Sequence, residues 1–224
     1  MPDATPARFI TFEGGEGVGK STQVRRLLAR LARAGVAAVR TREPGGTPKA
    51  EAIRSFILQG RSESWGAGAE AVLFASARLD HVQALIKPSL ASNKWVISDR
   101  FIDSTRAYQG LTGGVDDTLI SALETLAMDG HRPDLTVVLD MDPAAAFERV
   151  ARRAIENGSN GADRFEKEDL TWHGRLREAF LAIAAREADR CVVISAEQGE
   201  DALEDDIWHL VSRRFPEIDR TKRA

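Results

Sequence analysis

The chain has one cysteine and one tyrosine in 224 residues, and a formal charge of only −3 at neutral pH. The lone cysteine and the small net charge each exclude a class of protein. Cys191 sits alone in the apolar run Cys191-Val192-Val193-Ile194, so no disulfide, zinc centre or thiol pair can be built within one chain. It reads as a buried small hydrophobe. Near-balanced charge gives no global pull toward nucleic acid or an anionic membrane, so any positive site has to be a local cluster. No apolar run approaches the roughly eighteen residues of a membrane span. Met1 to Ala7 carry acid and prolines instead of a basic stretch followed by a hydrophobic one. The expectation is a soluble cytoplasmic protein with neither nucleic acid nor membrane as partner.

What is present is an apolar content of 43%, enough for one sizeable core. Five β-rich runs fall at about 8–13, 36–41, 95–99, 134–140 and 191–195. Helical patterns at about 20–34, 48–58, 68–91, 116–130, 143–154, 168–188 and 200–213 lie between and after them. This alternation predicts an α/β fold of three layers, a five-stranded parallel sheet flanked by helices on both faces, with residues 1–224 as one domain. Gly35 is placed to close the first helix, Pro88 to bend or interrupt the third, and Asp142-Pro143 to start the fifth.

The strongest local signal is Gly14-Gly15-Glu16-Gly17-Val18-Gly19-Lys20-Ser21, between a strand-like run and a helical pattern. It matches the phosphate loop GxxxxGK[ST] in its required context. Glycines 14, 15, 17 and 19 permit a backbone that turns its N–H groups inward, and the following helix points its positive end at the same spot. Residues 14–22, Thr22 included, are therefore the expected ATP cradle. Lys20 can reach the outer phosphates, and Ser21 can coordinate the Mg²⁺ that bridges them.

Ligands of such sheets sit beyond the carboxyl ends of the strands. The residues just after each run are polar here: Arg42-Glu43-Pro44-Gly45-Gly46-Thr47, Asp99-Arg100-Phe101, Asp140-Met141-Asp142 and Ser195-Ala196-Glu197-Gln198. A GTP switch would carry Asn-Lys-x-Asp, and the only Asn-Lys, Asn93-Lys94, lacks the Asp and enters a strand. A small kinase needs a second anionic pocket and a basic lid. Arg149, Arg152 and Arg153, followed by a Gly/Asn-bearing loop and Asp163-Arg164-Phe165-Glu166, supply a lid over about 149–166. Phosphoryl transfer rests on alignment and on spreading charge, work suited to planar five-donor guanidinium groups. Arg153 is the favoured member.

On the acceptor side, Phe74 and Arg78 lie four apart on a helical pattern. Phe74 fits either a core position, among Val72, Leu79, Val82 and Leu85, or a ring stacked on a base. Arg100 can fix a monophosphate, Asp99 can hold the water shell of Mg²⁺ near Ser21, and Thr105 with Gln109 can read a pyrimidine edge. Tyr108 offers a ring to pack against the sugar.

Taken together, Thr41-Arg42-Glu43-Pro44-Gly45-Gly46-Thr47, Asp99-Arg100-Phe101, Ala107-Tyr108-Gln109-Gly110, Arg132-Pro133-Asp134-Leu135-Thr136 and Asp163-Arg164-Phe165-Glu166 resemble the ordered signatures of bacterial thymidylate kinases. The resemblance runs from about residue 8 to 210. It implies a P-loop kinase fold and direct in-line transfer of the ATP γ-phosphate to dTMP, giving ADP and dTDP. It also implies a homodimer packed through helices. Residue by residue, it implies Glu16 on the deoxyribose 3′-hydroxyl, Phe74 stacked on thymine, Arg78, Thr105 and Gln109 around the base, Arg100 on the dTMP phosphate, and a cis bond before Pro44. Gly17 stands where some members place an arginine, which fits the branch that supplies arginine from the lid. The alternatives are another nucleoside monophosphate or small-metabolite kinase of the same fold, differing at Phe74, Arg78, Thr105 and Gln109, or a non-catalytic nucleotide-binding regulator.

Overall fold

The computed structural model describes residues 6–157, 165 and 168–219, and for 153–157 and 219 the backbone course alone. Strands β1 (Phe9–Glu13), β2 (Ala38–Arg42), β3 (Trp95–Asp99), β4 (Leu135–Asp140) and β5 (Cys191–Ser195) form a parallel sheet in the order β2-β3-β1-β4-β5. The first strand is central, with β3 on one side and β4 on the other, so the strand order reverses around it. A crevice therefore opens beyond its carboxyl end, where the chain runs from Glu13 into the glycine-rich loop.

The helices are α1 (Lys20–Arg33), α2 (Pro48–Leu58), α3 (Gly66–His81), α4 (Lys87–Ala91), α5 (Ile102–Thr105), α6 (Asp117–Met128), α7 (Pro143–Asn157), α8 (Leu170–Arg186) and α9 (Glu200–Arg214). Alternation along β1 divides them between two faces. Ile10 and Phe12 are buried with Leu27 and Leu31 of α1 and Ile207 and Val211 of α9. Phe9 is buried on the opposite side with Val82, Ile86 and Phe101. Each such side chain contributes about 1.5–3 kcal/mol on full burial. Thr11 and Glu13 share the Phe9 face, and their polar groups are paired there: Thr11 Oγ1 lies 2.8 Å from Thr136 Oγ1.

Three local outcomes refine the expected elements. The second strand begins at Ala38 instead of 36, because the Val36 N–H bonds back to the Leu31 carbonyl at 2.9 Å and Gly35 turns left-handed at φ 77°. That pattern closes a helix with a Schellman-type turn, and the strand cannot start until the turn is complete. The helix with Pro88 runs from Gly66 to Ala91 but passes through a π-helical stretch at Val82–Ile86. The wider turn accommodates a residue that can donate no hydrogen bond. A second π-helical stretch, Arg106–Thr112, follows α5. Asp142 caps α7 as expected, its Oδ1 accepting from the Ala144 N–H at 2.9 Å.

Candidate active site

At the end of β1 the loop turns through positive φ at Gly14, Gly17 and Gly19, but not at Gly15, so three of the four glycines are needed for backbone reasons. Gly17 (φ +73°) is also needed for space. A Cβ there would stand 2.6 Å from the Ala146 carbonyl oxygen and 2.8 Å from the Val150 side chain, both on α7. No larger residue fits with α7 in this position. Lys20 is buried and donates to the carbonyls of Gly14 (3.1 Å) and Gly15 (2.6 Å). Burial and nearby Arg100 bring its amine down to about 8, against the pull of Glu16, Asp99 and Glu13. Ser21 donates its hydroxyl hydrogen bond to Asp99 Oδ2. The Thr22 N–H bonds to the Gly19 carbonyl at 3.1 Å in the first turn of α1.

Two of the residues expected on the acceptor side, Arg100 and Tyr108, meet this loop directly. Arg100, left-handed at φ 70°, donates through Nη2 to Glu16 Oε1 (2.6 Å) and through Nη1 to Gly14 O and Ser104 Oγ, each at 3.1 Å. Tyr108 Oη donates to the same Glu16 oxygen at 2.7 Å, and the guanidinium lies 5.1 Å from the Tyr108 ring centroid. Burial opposes the Glu16 charge, but Arg100, Lys20 and the Tyr108 hydroxyl hold its carboxyl down at about 2. Burial likewise works against the Arg100 charge, and Glu16, Tyr108, Glu13 and Asp99 together more than offset it.

Farther along the crevice, Arg78 is buried and donates through Nη2 to Thr105 Oγ1 (3.0 Å) and to the Phe101 carbonyl (3.2 Å). Thr105 and Gln109 are both buried, straddling the change from α5 to the π-helical stretch. Phe74 is 9% exposed and packs with Ile57, Ala107, Tyr108 and Phe165. The expected lid, about 149–166, lies partly outside the described residues. Arg149 Nη2 donates to the Gln198 carbonyl at 3.4 Å, and Arg152 is exposed. The Arg153 side chain, Asp163, Arg164 and Glu166 lie outside the described residues.

A family model for thymidylate kinase matches residues 12–207. The chain belongs to the thymidylate kinase family. It is 47% identical over 230 residues to a thymidylate kinase of Nitrobacter winogradskyi, covering 100% of this chain and 99% of that one. A thymidylate kinase of Rhodopseudomonas palustris is 51% identical over 211 residues, covering 94% and 90%. Among solved structures, the thymidylate kinase from Ehrlichia chaffeensis superposes with a TM-score of 0.72 at 32% identity, over 92% of this chain and 98% of that one. The three-layer arrangement is thus the P-loop kinase fold that the sequence predicted.

Family membership gives the remaining features a frame. The Glu43–Pro44 bond is cis, as the resemblance implied. Among the described residues no group of three His, Cys, Asp or Glu side chains could hold a metal alone. Ser21 and Asp99 offer one hydroxyl and one carboxylate side by side, hard oxygen donors of the kind Mg²⁺ takes alongside waters and phosphate oxygens. The residues fit that ion.

Several neighbours of the site escaped the sequence reading. Glu13, fully buried at the end of β1, accepts from the Phe101 N–H (2.7 Å) and from Ser104 Oγ (2.7 Å), and so holds the turn that carries Arg100. Burial, with Asp103 alongside, pushes its carboxyl up to about 7. The available signal was an acid closing an apolar strand. Arg54 on α2 donates to the carbonyl of Pro44 itself at 2.9 Å. His173 on α8 lines the same small pocket as Glu16 and Arg177, and its pKa is lowered by burial.

Proposed function

We propose that the chain transfers the γ-phosphoryl group of ATP to dTMP, giving ADP and dTDP, with both nucleotides held against the 14–21 loop. The observation that carries this reading is the contact of Arg100 with both Glu16 and the Gly14 carbonyl. A residue expected on the acceptor phosphate thereby touches the donor-phosphate cradle, so the acceptor oxygen and the γ-phosphate can be held in line within one enclosed space. The loop N–H groups, Lys20, Ser21 and Thr22 hold ATP. Glu16 and Tyr108 address the sugar, Arg100 the monophosphate, and Phe74, Arg78, Thr105 and Gln109 the base. Mg²⁺, held by Ser21 and through water by Asp99, would supply neutralising charge on the phosphates when bound. Arg149, Arg152 and Arg153 approach the transferring group from the lid, where one arginine can be worth roughly 10³–10⁵ in rate.

Residues 1–224 are taken as one domain, and the working species as a homodimer. Support for the dimer comes from α3 and α6, which pack together and leave Val72, Leu119 and Leu126 exposed by 41–64%. Sedimentation of the purified chain tests it. A cytoplasmic location belongs to the same proposal, and cell fractionation tests that.

The substrate is tested by ADP release with dTMP, dUMP, dCMP, dGMP and AMP as acceptors. Preference for dTMP is expected. If dTMP is no better than AMP, the substrate assignment is lost, and if no acceptor releases ADP above background, the kinase assignment is lost with it.

A further inference from the structure

We infer that Thr41, His81 and Glu43 form a relay of positioning residues that fixes the plane of Arg78 and thereby sets which pyrimidine the acceptor pocket takes. The inference rests on the proposed contact between Arg78 and the base. Its geometry is complete without a ligand. Arg78 Nε donates to Glu43 Oε2 at 2.7 Å, His81 Nδ1 meets Glu43 Oε1 at 2.9 Å, and His81 Nε2 meets Thr41 Oγ1 at 2.6 Å. All four residues are buried. They come from two stretches of chain: Thr41 in β2 with Glu43 just after it at the cis peptide bond, and Arg78 with His81 from the last turn of α3.

Neutralising a buried guanidinium needs one carboxylate, and Glu43 alone would do it. The imidazole adds something different. With one Glu43 oxygen on Arg78 and the other on His81, the carboxylate can no longer rotate, so Nε of Arg78 is held in one direction. A carboxylate only accepts, which places a proton on His81 Nδ1, and in that tautomer Nε2 accepts from the Thr41 hydroxyl. Thr41 thus fixes the imidazole as the imidazole fixes Glu43. On the far side, Phe101 O and Thr105 Oγ1 hold Nη2 of Arg78. Among the described residues, Nη1 makes no hydrogen bond, and its N–H groups remain for a ligand.

The turn is shaped around this relay. Gly46 has φ +87°, and a Cβ there would stand 2.5 Å from Thr41 Oγ1 and 2.7 Å from His81 Nε2. The glycine therefore leaves room for the hydroxyl–imidazole contact. The chemical consequence follows from what arginine cannot do. It donates only, so a fixed Nη1 favours the O4 carbonyl of thymine and disfavours the amino group that cytosine presents at the same place. A guanidinium free to swing would lose much of that discrimination.

The test is steady-state kinetics of the full chain with dTMP, dUMP and dCMP, alongside the ATP KM and thermal melting, for Thr41→Val, Thr41→Ser, His81→Asn and Arg78→Ala. Thr41→Val keeps the shape and removes only the hydroxyl donor. Thr41→Val and His81→Asn are expected to raise the dTMP KM roughly tenfold and to narrow the dTMP-over-dCMP preference, with kcat and the ATP KM nearly unchanged. Thr41→Ser is expected to restore both. If Thr41→Val and His81→Asn lower the melting temperature but leave the dTMP KM and the preference alone, the relay is structural only and the inference fails. Arg78→Ala separates the two levels. An unchanged dTMP KM there removes the base-reading role and the inference together, whereas a raised one beside silent Thr41 and His81 variants removes the inference alone.

Discussion

Arg100 Nη2 stands 2.6 Å from Glu16 Oε1, and the two side chains form a bridge between the end of β3 and the middle of the phosphate loop. A guanidinium on one side of the crevice is thereby held by a carboxylate belonging to the other. Under the proposed placement of the two nucleotides each would meet this pair, which makes it the natural place to look for coupling between the two substrates.

Replacing Glu16 with Ala leaves Arg100 and the Tyr108 hydroxyl without their shared acceptor. The dTMP KM is expected to rise at least about tenfold, and the ATP KM by no more than about twofold. Initial-rate measurements with each substrate varied in turn check this. Equal weakening of both would remove Glu16 from the sugar.

Lys20 carries a different signature, because burial and Arg100 hold its amine at about 8. A polyphosphate arriving beside it favours the charged form again, so ATP binding is expected to take up protons above pH 8, to a limit of about one. Calorimetric titration in buffers of different ionisation enthalpy measures the uptake, and its absence at alkaline pH would contradict the assignment. Lys20→Ala is expected to abolish transfer while leaving dTMP binding largely intact.

Gly17 tests the packing of α7 over the loop. Alanine there meets the Ala146 carbonyl oxygen at 2.6 Å from a left-handed backbone, whereas a Cβ at Gly15 meets nothing within 4 Å. Gly17→Ala is expected to cost about 1–3 kcal/mol in urea unfolding and Gly15→Ala much less. Equal losses would show that α7 does not rest on the loop in solution.

Much of this arrangement was legible in the sequence. The strands 95–99 and 191–195 and the helix 48–58 fall at the residues expected, because turn and cap residues bound them tightly. Thr47 is such a bound, its Oγ1 accepting from the Ala50 N–H at 3.2 Å at the start of α2. Lys20, Ser21, Asp99 and Arg100 converge because each lies at or beyond the carboxyl end of a strand of one parallel sheet. What escaped was pairing across long stretches of chain. Arg190 donates to both oxygens of Asp103 at 2.7–2.8 Å across 87 residues. Neither periodicity nor spacing encodes that partner, since it depends on how α5 settles against the β4–β5 edge. The two π-helical stretches escaped for a related reason: helix type follows from local hydrogen-bond slippage that apolar spacing does not register. Phe74 fitted two roles in the sequence, and its burial among Ile57, Ala107 and Tyr108 is compatible with a ring that packs on the core and offers a face to a base.

Glu13 predicts a pH dependence of stability. Its carboxyl is raised from 4.5 to about 7 by burial and Asp103, so between those values the folded chain holds a proton that the unfolded chain releases. The stabilisation from that proton is fully present below about pH 4.5 and is lost as pH rises through about 7, on the order of 3 kcal/mol. Glu13→Gln is expected to flatten this part of the profile. Urea unfolding of the two proteins at mildly acidic and mildly alkaline pH measures the difference, and parallel profiles would contradict it.

The most direct test of the central claim follows the phosphoryl group itself. With ATP labelled at the γ-phosphate, Mg²⁺ and dTMP, the label is expected in dTDP, in step with ADP release. Label appearing only as inorganic phosphate, or remaining in ATP, would contradict direct transfer between two nucleotides held on the Glu16–Arg100 bridge.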